Sequence, residues 1–275
     1  MRQVLSTAQI AGRDETIRRA MMLEGLRTMA ELDLDRSPGE VCFDMLTPVY
    51  AMLNDADPYR EVKARQNELA MSCLEALEDT VNAADDPMLL ALKLAAAGNI
   101  VDSGIRGGFD LDATLRRVIE RPFAIDDYDK FCDKLAAAKK VMYIVDNAGE
   151  IVFDRLVLER LQGVEVTCVV RYSPMLNDAM REDAHMLGLD KMARIIDPGI
   201  GTLGIPLNKC AKEFIAEFEQ ADMIVSKGQA NFETLEEYSG DKRVKDKLFF
   251  VLMSKCDCVS EILGVETGDA VLKLA

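Results

Sequence analysis

The chain has 275 residues, with 48 acidic against 33 basic side chains and a formal net charge of −15. A field of that sign repels phosphate backbones and anionic lipid, which argues against nucleic acid and membrane surfaces as partners; an anionic ligand must be drawn in by a local cation or metal. Apolar residues at 49% and charged residues at 29% describe a soluble globular chain, long enough for one large domain or two modest ones, and no stretch approaches the roughly 18 apolar residues of a membrane-spanning helix.

In chain order, the first segment, Met1-Arg2-Gln3-Val4-Leu5, lacks the apolar centre of a secretion signal. The seven cysteines are odd in number and include no CxxC pair, so they read as reduced thiols in a cytoplasm. Residues 1–125 show the 3.6-residue apolar spacing of successive helices and make a helical domain. Asp14 caps a helix through Leu32; Pro58-Tyr59 opens another that runs to about Leu77. Asp86-Pro87 is a cap followed by a first-turn proline, and the helix it starts, 88–100, is apolar nearly all round, which marks it as buried. The glycine-rich stretch at Gly104, Gly107 and Gly108 reads as a loop between helices.

From residue 126 the period changes. A joining helix is expected over 125–140, followed by apolar runs at 141–145, 164–170, 193–196, 223–225, 248–253 and 270–274, most of them separated by helical patterns. Strands alternating with helices imply right-handed crossovers and a mainly parallel, Rossmann-like three-layer α/β sheet domain over 126–275. The close pair Cys256-x-Cys258 would point to opposite faces of a strand and reads as buried structural thiols.

In an open α/β sheet, ligands bind beyond the carboxyl ends of the strands. Those ends carry Asp146-Asn147-Ala148-Gly149-Glu150, Arg171 with Asn177-Asp178 beyond it, Asp197-Pro198-Gly199, Ser226-Lys227-Gly228-Gln229-Ala230-Asn231-Phe232-Glu233, and Ser254-Lys255. A single such cluster is ordinarily a helix cap or turn; their accumulation on one sheet edge points to a site. With one histidine in the chain, a metal would be held by oxygen, which selects hard divalent ions. Asp146 and Asn147 leave the first strand side by side, and Asp178 offers a second carboxylate. Lys227, Lys255 and Arg171 are placed to clamp an anion beside such a metal, the arrangement that phosphoryl transfer requires.

At these residues the chain resembles the DUF89 family, the damage-control phosphatases that include the ARMT1-like proteins, and within it the stand-alone prokaryotic branch. The resemblance rests on Asp146–Glu150, Asn177-Asp178, Lys227–Glu233, Ser254-Lys255-Cys256 and Ala97-Gly98-Asn99-Ile100-Val101-Asp102, in family order over most of the chain. Members of that branch often carry a cysteine-containing segment before an Arg-Gln pair; here Arg2-Gln3 follows Met1 directly. The resemblance implies a metal-dependent phosphatase of small phosphate esters, such as sugar phosphates or damaged cofactors. It assigns Asp146, Asn147 and Asp178 to the metal, Lys255 to the phosphate, and Lys227 and Glu233 to the site lining, with Glu150 and Arg171 on the substrate side. Asn99 and Asp102 would reach in from the helical half. Magnesium, manganese, cobalt and nickel all fit an oxygen site. Asp146 has a second role open to it, as a nucleophile forming an aspartyl phosphate, although Ala148 stands where a related chemistry uses a second aspartate. Two other functions fit the sequence: a carboxyl methyltransferase with an adenosyl cofactor, and a non-catalytic phosphometabolite-binding regulator.

Three further features read as structural. His185 lies on an amphipathic helix, the methionines fall mostly at core spacing, and Gly199–Gly204 is neither a GxGxxG fingerprint nor a P-loop, so it reads as a turn bordering the cleft.

Overall fold

The structure is a computed structural model that describes residues 1–12, 14–98, 116 and 118–275. Among the described residues the chain opens with α1 (Arg2–Ala11), α2 (Glu15–Glu31), α3 (Pro38–Ala51), α4 (Arg60–Met71), α5 (Leu74–Asn82) and α6 (Pro87–Ala97). Their starts follow from local chemistry. The Asp14 and Asp86 carboxylates accept the N–H groups of Ile17 and Leu89 at 2.9 and 3.0 Å, and Pro38 and Pro87 occupy first turns where no N–H is needed. The single helix expected from residue 58 to about 77 is in fact two. It breaks at Ser72, whose hydroxyl donates to the Leu69 carbonyl at 2.6 Å and competes with the helical ladder. The glycine-rich loop at 104–108 lies outside the described residues.

The sheet is built from β1 (Ile125–Asp126), β2 (Lys140–Ile144), β3 (Glu165–Val169), β4 (Arg194–Ile196), β5 (Met223–Lys227), β6 (Leu248–Met253) and β7 (Ala270–Leu274). Their order is β1-β7-β6-β5-β2-β3-β4, and the β6–β7 pair is antiparallel while the other pairs run parallel. The crossovers carry α7 (Tyr128–Ala137), α8 (Glu150–Leu158), α9 (Arg181–Met186), α10 (Lys212–Gln220), α11 (Gln229–Leu235) and α12 (Asp257–Leu263).

Two expectations are corrected here. The joining segment 125–140 is not one helix. Ile125 and Asp126 pair with β7, while the Leu274 N–H donates to Asp127 Oδ2 at 2.8 Å. This long-range pairing outweighs local helical preference. The Cys256-x-Cys258 pair does not lie on a strand: Cys256 precedes α12, and Cys258 is exposed in its first turn.

Strand alternation divides the core into two faces. Val141 and Tyr143 of β2 pack with Leu77, Leu92 and Leu156 of α5, α6 and α8, whereas Met142 and Ile144 pack with Phe214 and Phe218 of α10 and Phe232 of α11. Because α6 lies within the first of these layers, its apolar character all round is accounted for. A third cluster joins Val4, Met21, Leu46 and Val49 of α1–α3 to Met175 and Leu203, on loops beyond β3 and β4. Among the described residues, no helix is long and apolar enough to cross a membrane.

Phe131 of α7 is fully buried and meets Phe249 of β6 edge to face, with ring centroids 5.4 Å apart. Phe131→Ala is expected to destabilise the fold by about 3–5 kcal/mol, read from urea unfolding. A loss under about 1 kcal/mol would contradict the packing described.

Candidate active site

From β2 the strand order runs through β3 and β4 on one side and through β5 and β6 on the other. The connections therefore diverge at the carboxyl ends of β2 and β5 and leave a crevice there. Asn231, fully buried in α11, spans this point: its side-chain amide donates to the carbonyl of Val145 at 3.1 Å and to that of Lys227 at 2.6 Å. Between them Gly228 has φ +81, and a Cβ on it would sit 1.9 Å from Asp146 Oδ2. Only glycine meets both the left-handed backbone and the close approach of that carboxylate.

The loop beyond β3 folds back onto the end of β2. Ala179 N–H donates to the Asp146 carbonyl at 2.9 Å and Ala148 N–H to the Asn177 carbonyl at 2.8 Å, which sets Asp178 opposite Asn147. Leu176 turns this loop with φ 50, a strained value for leucine, and its N–H is held by the Tyr50 hydroxyl at 2.8 Å. The helical segment braces both loops from the other side. The buried Asn67 side chain accepts Gly149 N–H at 2.6 Å and donates to Asp183 at 2.7 Å, while Gln66 accepts from the Asn177 amide at 3.2 Å.

Three carboxyl groups are thereby buried together: Asp146 and Asp178 at 3% exposure and Glu150 at 5%. Arg171, itself buried, donates through Nε to Asp178 Oδ2 at 2.5 Å and brings a second nitrogen within 3.6 Å of Asp146 Oδ1. Lys255 Nζ stands 3.5 Å from Glu150 Oε1. Burial, then the charge of Glu150, push the Asp146 carboxyl up to about 7 against the pull of Lys255. Burial also raises Asp178, opposed by Arg171. Asn147 donates through Nδ2 to Asp146 Oδ2 at 2.9 Å and to Glu150 Oε1 at 3.0 Å. The opposite orientation of that amide would set oxygen against two carboxylates, so its Oδ1 is the atom left for a ligand.

A cavity of about 960 Å³ opens over this cluster, and Asp146, Asn147, Asp178, Glu233 and Lys255 all line it. Burial raises the Glu233 carboxyl, which accepts from Gln229 at 2.8 Å. Glu150 and Arg171 support the cluster from behind. Lys227 is not on the cavity wall: it is 1% exposed and ion-paired at 2.7 Å to the fully buried Asp154, which also accepts from Tyr143 at 2.8 Å. Asn99 and Asp102 lie outside the described residues. Leu203 borders the cavity, as the reading of the 199–204 turn anticipates, and His185 is exposed beside Asp190. Gln66 and Asn67 belong to no motif in the sequence, and Asn231 is legible only as a member of the 226–233 polar cluster; what makes all three site supports is a buried amide, and burial is not visible in an isolated helical pattern.

The donor set is hard oxygen from two carboxylates and one amide. Among the described residues, no three His, Cys, Asp or Glu side chains converge as a ready-made metal site. The crowded carboxyl groups outnumber the two cations beside them, so a divalent ion fits the site by charge as well as by donor type.

The fold thus sets an acidic cleft and a lysine beyond the carboxyl ends of its parallel strands. The chain belongs to the damage-control phosphatase ARMT1-like domain family, whose description matches residues 1–271. A damage-control phosphatase of Pyrococcus horikoshii is 32% identical over 267 residues, covering 94% of this chain and 90% of the relative. One of Archaeoglobus fulgidus is 36% identical over 233 residues, covering 82% and 78%. The crystal structure of a DUF89 family protein from Pyrococcus horikoshii superposes with a TM-score of 0.89 at 31% identity, over 99% of this chain and 95% of the other.

Because Lys227 pairs with a buried carboxylate, its replacement is expected to act on stability. Lys227→Met leaves Asp154 buried and uncompensated, at a cost of about 3–5 kcal/mol in urea unfolding. The double variant Lys227→Met/Asp154→Leu is expected to recover part of that loss; a single variant as stable as the parent would refute the pairing.

Proposed function

We propose that this protein is a divalent-metal-dependent phosphomonoesterase of small phosphometabolites, of the kind represented by sugar phosphates and damaged phosphorylated cofactors. The observation that carries the reading is the meeting of Asp146, Asn147, Asp178 and Lys255 on one cavity at the sheet's switch point. Relatives named as phosphatases over most of their length support hydrolysis over methyl transfer or passive binding.

Asp146, Asn147 and Asp178 would hold the ion through their side-chain oxygens. A bound divalent ion supplies Lewis acidity toward a phosphoryl oxygen and makes water a better nucleophile. Lys255 neutralises charge on the non-bridging oxygens, and Glu150 holds its ammonium at the cavity wall. Arg171 keeps Asp178 and Asp146 in register from behind. Water is the attacking group rather than Asp146. Ala148 is buried with its N–H on Asn177, so no second carboxyl at that position protonates a leaving group. The stereochemical course at phosphorus tests this: an ester chiral at phosphorus through oxygen isotopes is expected to be hydrolysed with inversion, the result of one displacement by water, and retention would reassign the attack to Asp146.

Phosphate release from p-nitrophenyl phosphate and a sugar phosphate panel, with manganese, nickel, cobalt or magnesium, tests the activity itself. Turnover is expected to vanish with chelator and return with added ion. Asp178→Ala is expected to abolish it while leaving the fold intact by circular dichroism. Lys255→Ala is expected to slow kcat by ~10²-fold or more; a change confined to KM would make Lys255 a ground-state binding residue.

A further inference from the structure

The cavity is larger than a phosphoryl group requires. At about 960 Å³ it stands at the upper end of the ~300–1,000 Å³ range of small-molecule sites. Its wall includes two cations away from the acidic cluster, Arg121 and Lys93. Lys93, on α6, donates to the Ile119 carbonyl at 3.3 Å, which sets its ammonium two residues from Arg121 along the chain. Arg121 is exposed and has no carboxylate partner among the described residues. Asp269, the wall acid that precedes β7 beside the segment leading into β1, has one oxygen taken by Glu266 N–H at 3.0 Å. In a chain of net charge −15, an arginine with no carboxylate partner among the described residues, on the same cavity wall as a lysine, is a local concentration of positive charge.

Topology explains how Arg121 reaches this cavity. Because β7 runs antiparallel to β6 and β1 runs parallel to β7, the segment leading into β1 emerges at the same sheet edge as the carboxyl end of β2. Four strand spacings separate β1 from β2 in the sheet order, so the two chain segments stand ~19 Å apart before side chains reach inward. Phe123, Val118, Ala97 and Met253 give the intervening wall an apolar character.

We propose that Arg121 and Lys93 form a second anion subsite, and that the preferred substrates are extended phosphate esters carrying another anionic group at the far end of an apolar or hydroxylated spacer. The proposal rests on the phosphatase reading for the identity of the first anion, but it can be tested without turnover. The probes are ω-carboxyalkyl phosphonates and matched ω-hydroxyalkyl phosphonates, spacers about two to ten carbons long, titrated calorimetrically with manganese present. At a favoured length the carboxylate analogue is expected to bind about tenfold more tightly than its hydroxyl partner. Arg121→Gln is expected to bring that ratio close to one, and Arg121→Glu below it, whereas Lys255→Gln weakens both analogues together. A ratio near one at every length in the parent protein, or a preference that survives Arg121→Glu, overturns the proposal. The corresponding phosphate esters are assayed in parallel. Binding preference without hydrolysis refutes the phosphatase reading alone; hydrolysis without preference refutes the second subsite alone.

Discussion

The organising constraint is the burial of three carboxyl groups at one point of a sheet edge. Asp146, Glu150 and Asp178 repel one another in a medium that screens poorly, and burial pushes the Asp146 and Asp178 carboxyls upward. The fold holds them together. Arg171 ties two of them from beneath, Lys255 faces the third, and the Asn147 amide links Asp146 to Glu150. The backbone around them is equally committed: Asn231 bridges the ends of β2 and β5, and Gly228 leaves room for a carboxylate where any side chain would collide with it. Carboxyl groups crowded in this way cost stability, and clusters of that kind are concentrated at functional sites rather than in ordinary packing.

The helical segment is part of this device. Its α5 and α6 belong to the same core as β2 and α8, and α4 supplies the amides that hold the loops after β2 and β3. The cavity is lined from both sides, with Gly39 and Cys42 of α3 facing residues of the strand ends. The strained turn at Leu176 is stabilised by Tyr50 of α3, so even the presentation of Asp178 depends on a helix distant in sequence.

Much of the sheet was legible from residues alone. Runs such as Val141–Val145 and Leu248–Met253 are apolar, short and bounded by polar ends, and each proved to contain a strand buried on both faces. The strand-end polar clusters were legible for the same reason: a carboxylate directly after such a run has nowhere to go but the sheet edge. What the residues alone do not carry is the direction of a long side chain. Lys227 closes a strand just as Lys255 follows one, yet Lys227 turns inward to Asp154, because that acid projects from α8 beneath the sheet edge. Nor do they show pairing between distant segments. Ile125 and Asp126 become a strand because β7 lies beside them, and the reversal of β7 alone brings Arg121 to the cavity.

The enclosed trio of Tyr143, Asp154 and Lys227 has an implication for how such a chain varies over generations. Loss of either charged member alone strands its opposite in a dry interior, whereas exchanging both for hydrocarbon groups of similar bulk removes the difficulty. The two positions are therefore locked to a shared fate: descendants should keep the couple whole or abandon it whole, and lineages caught halfway should be scarce.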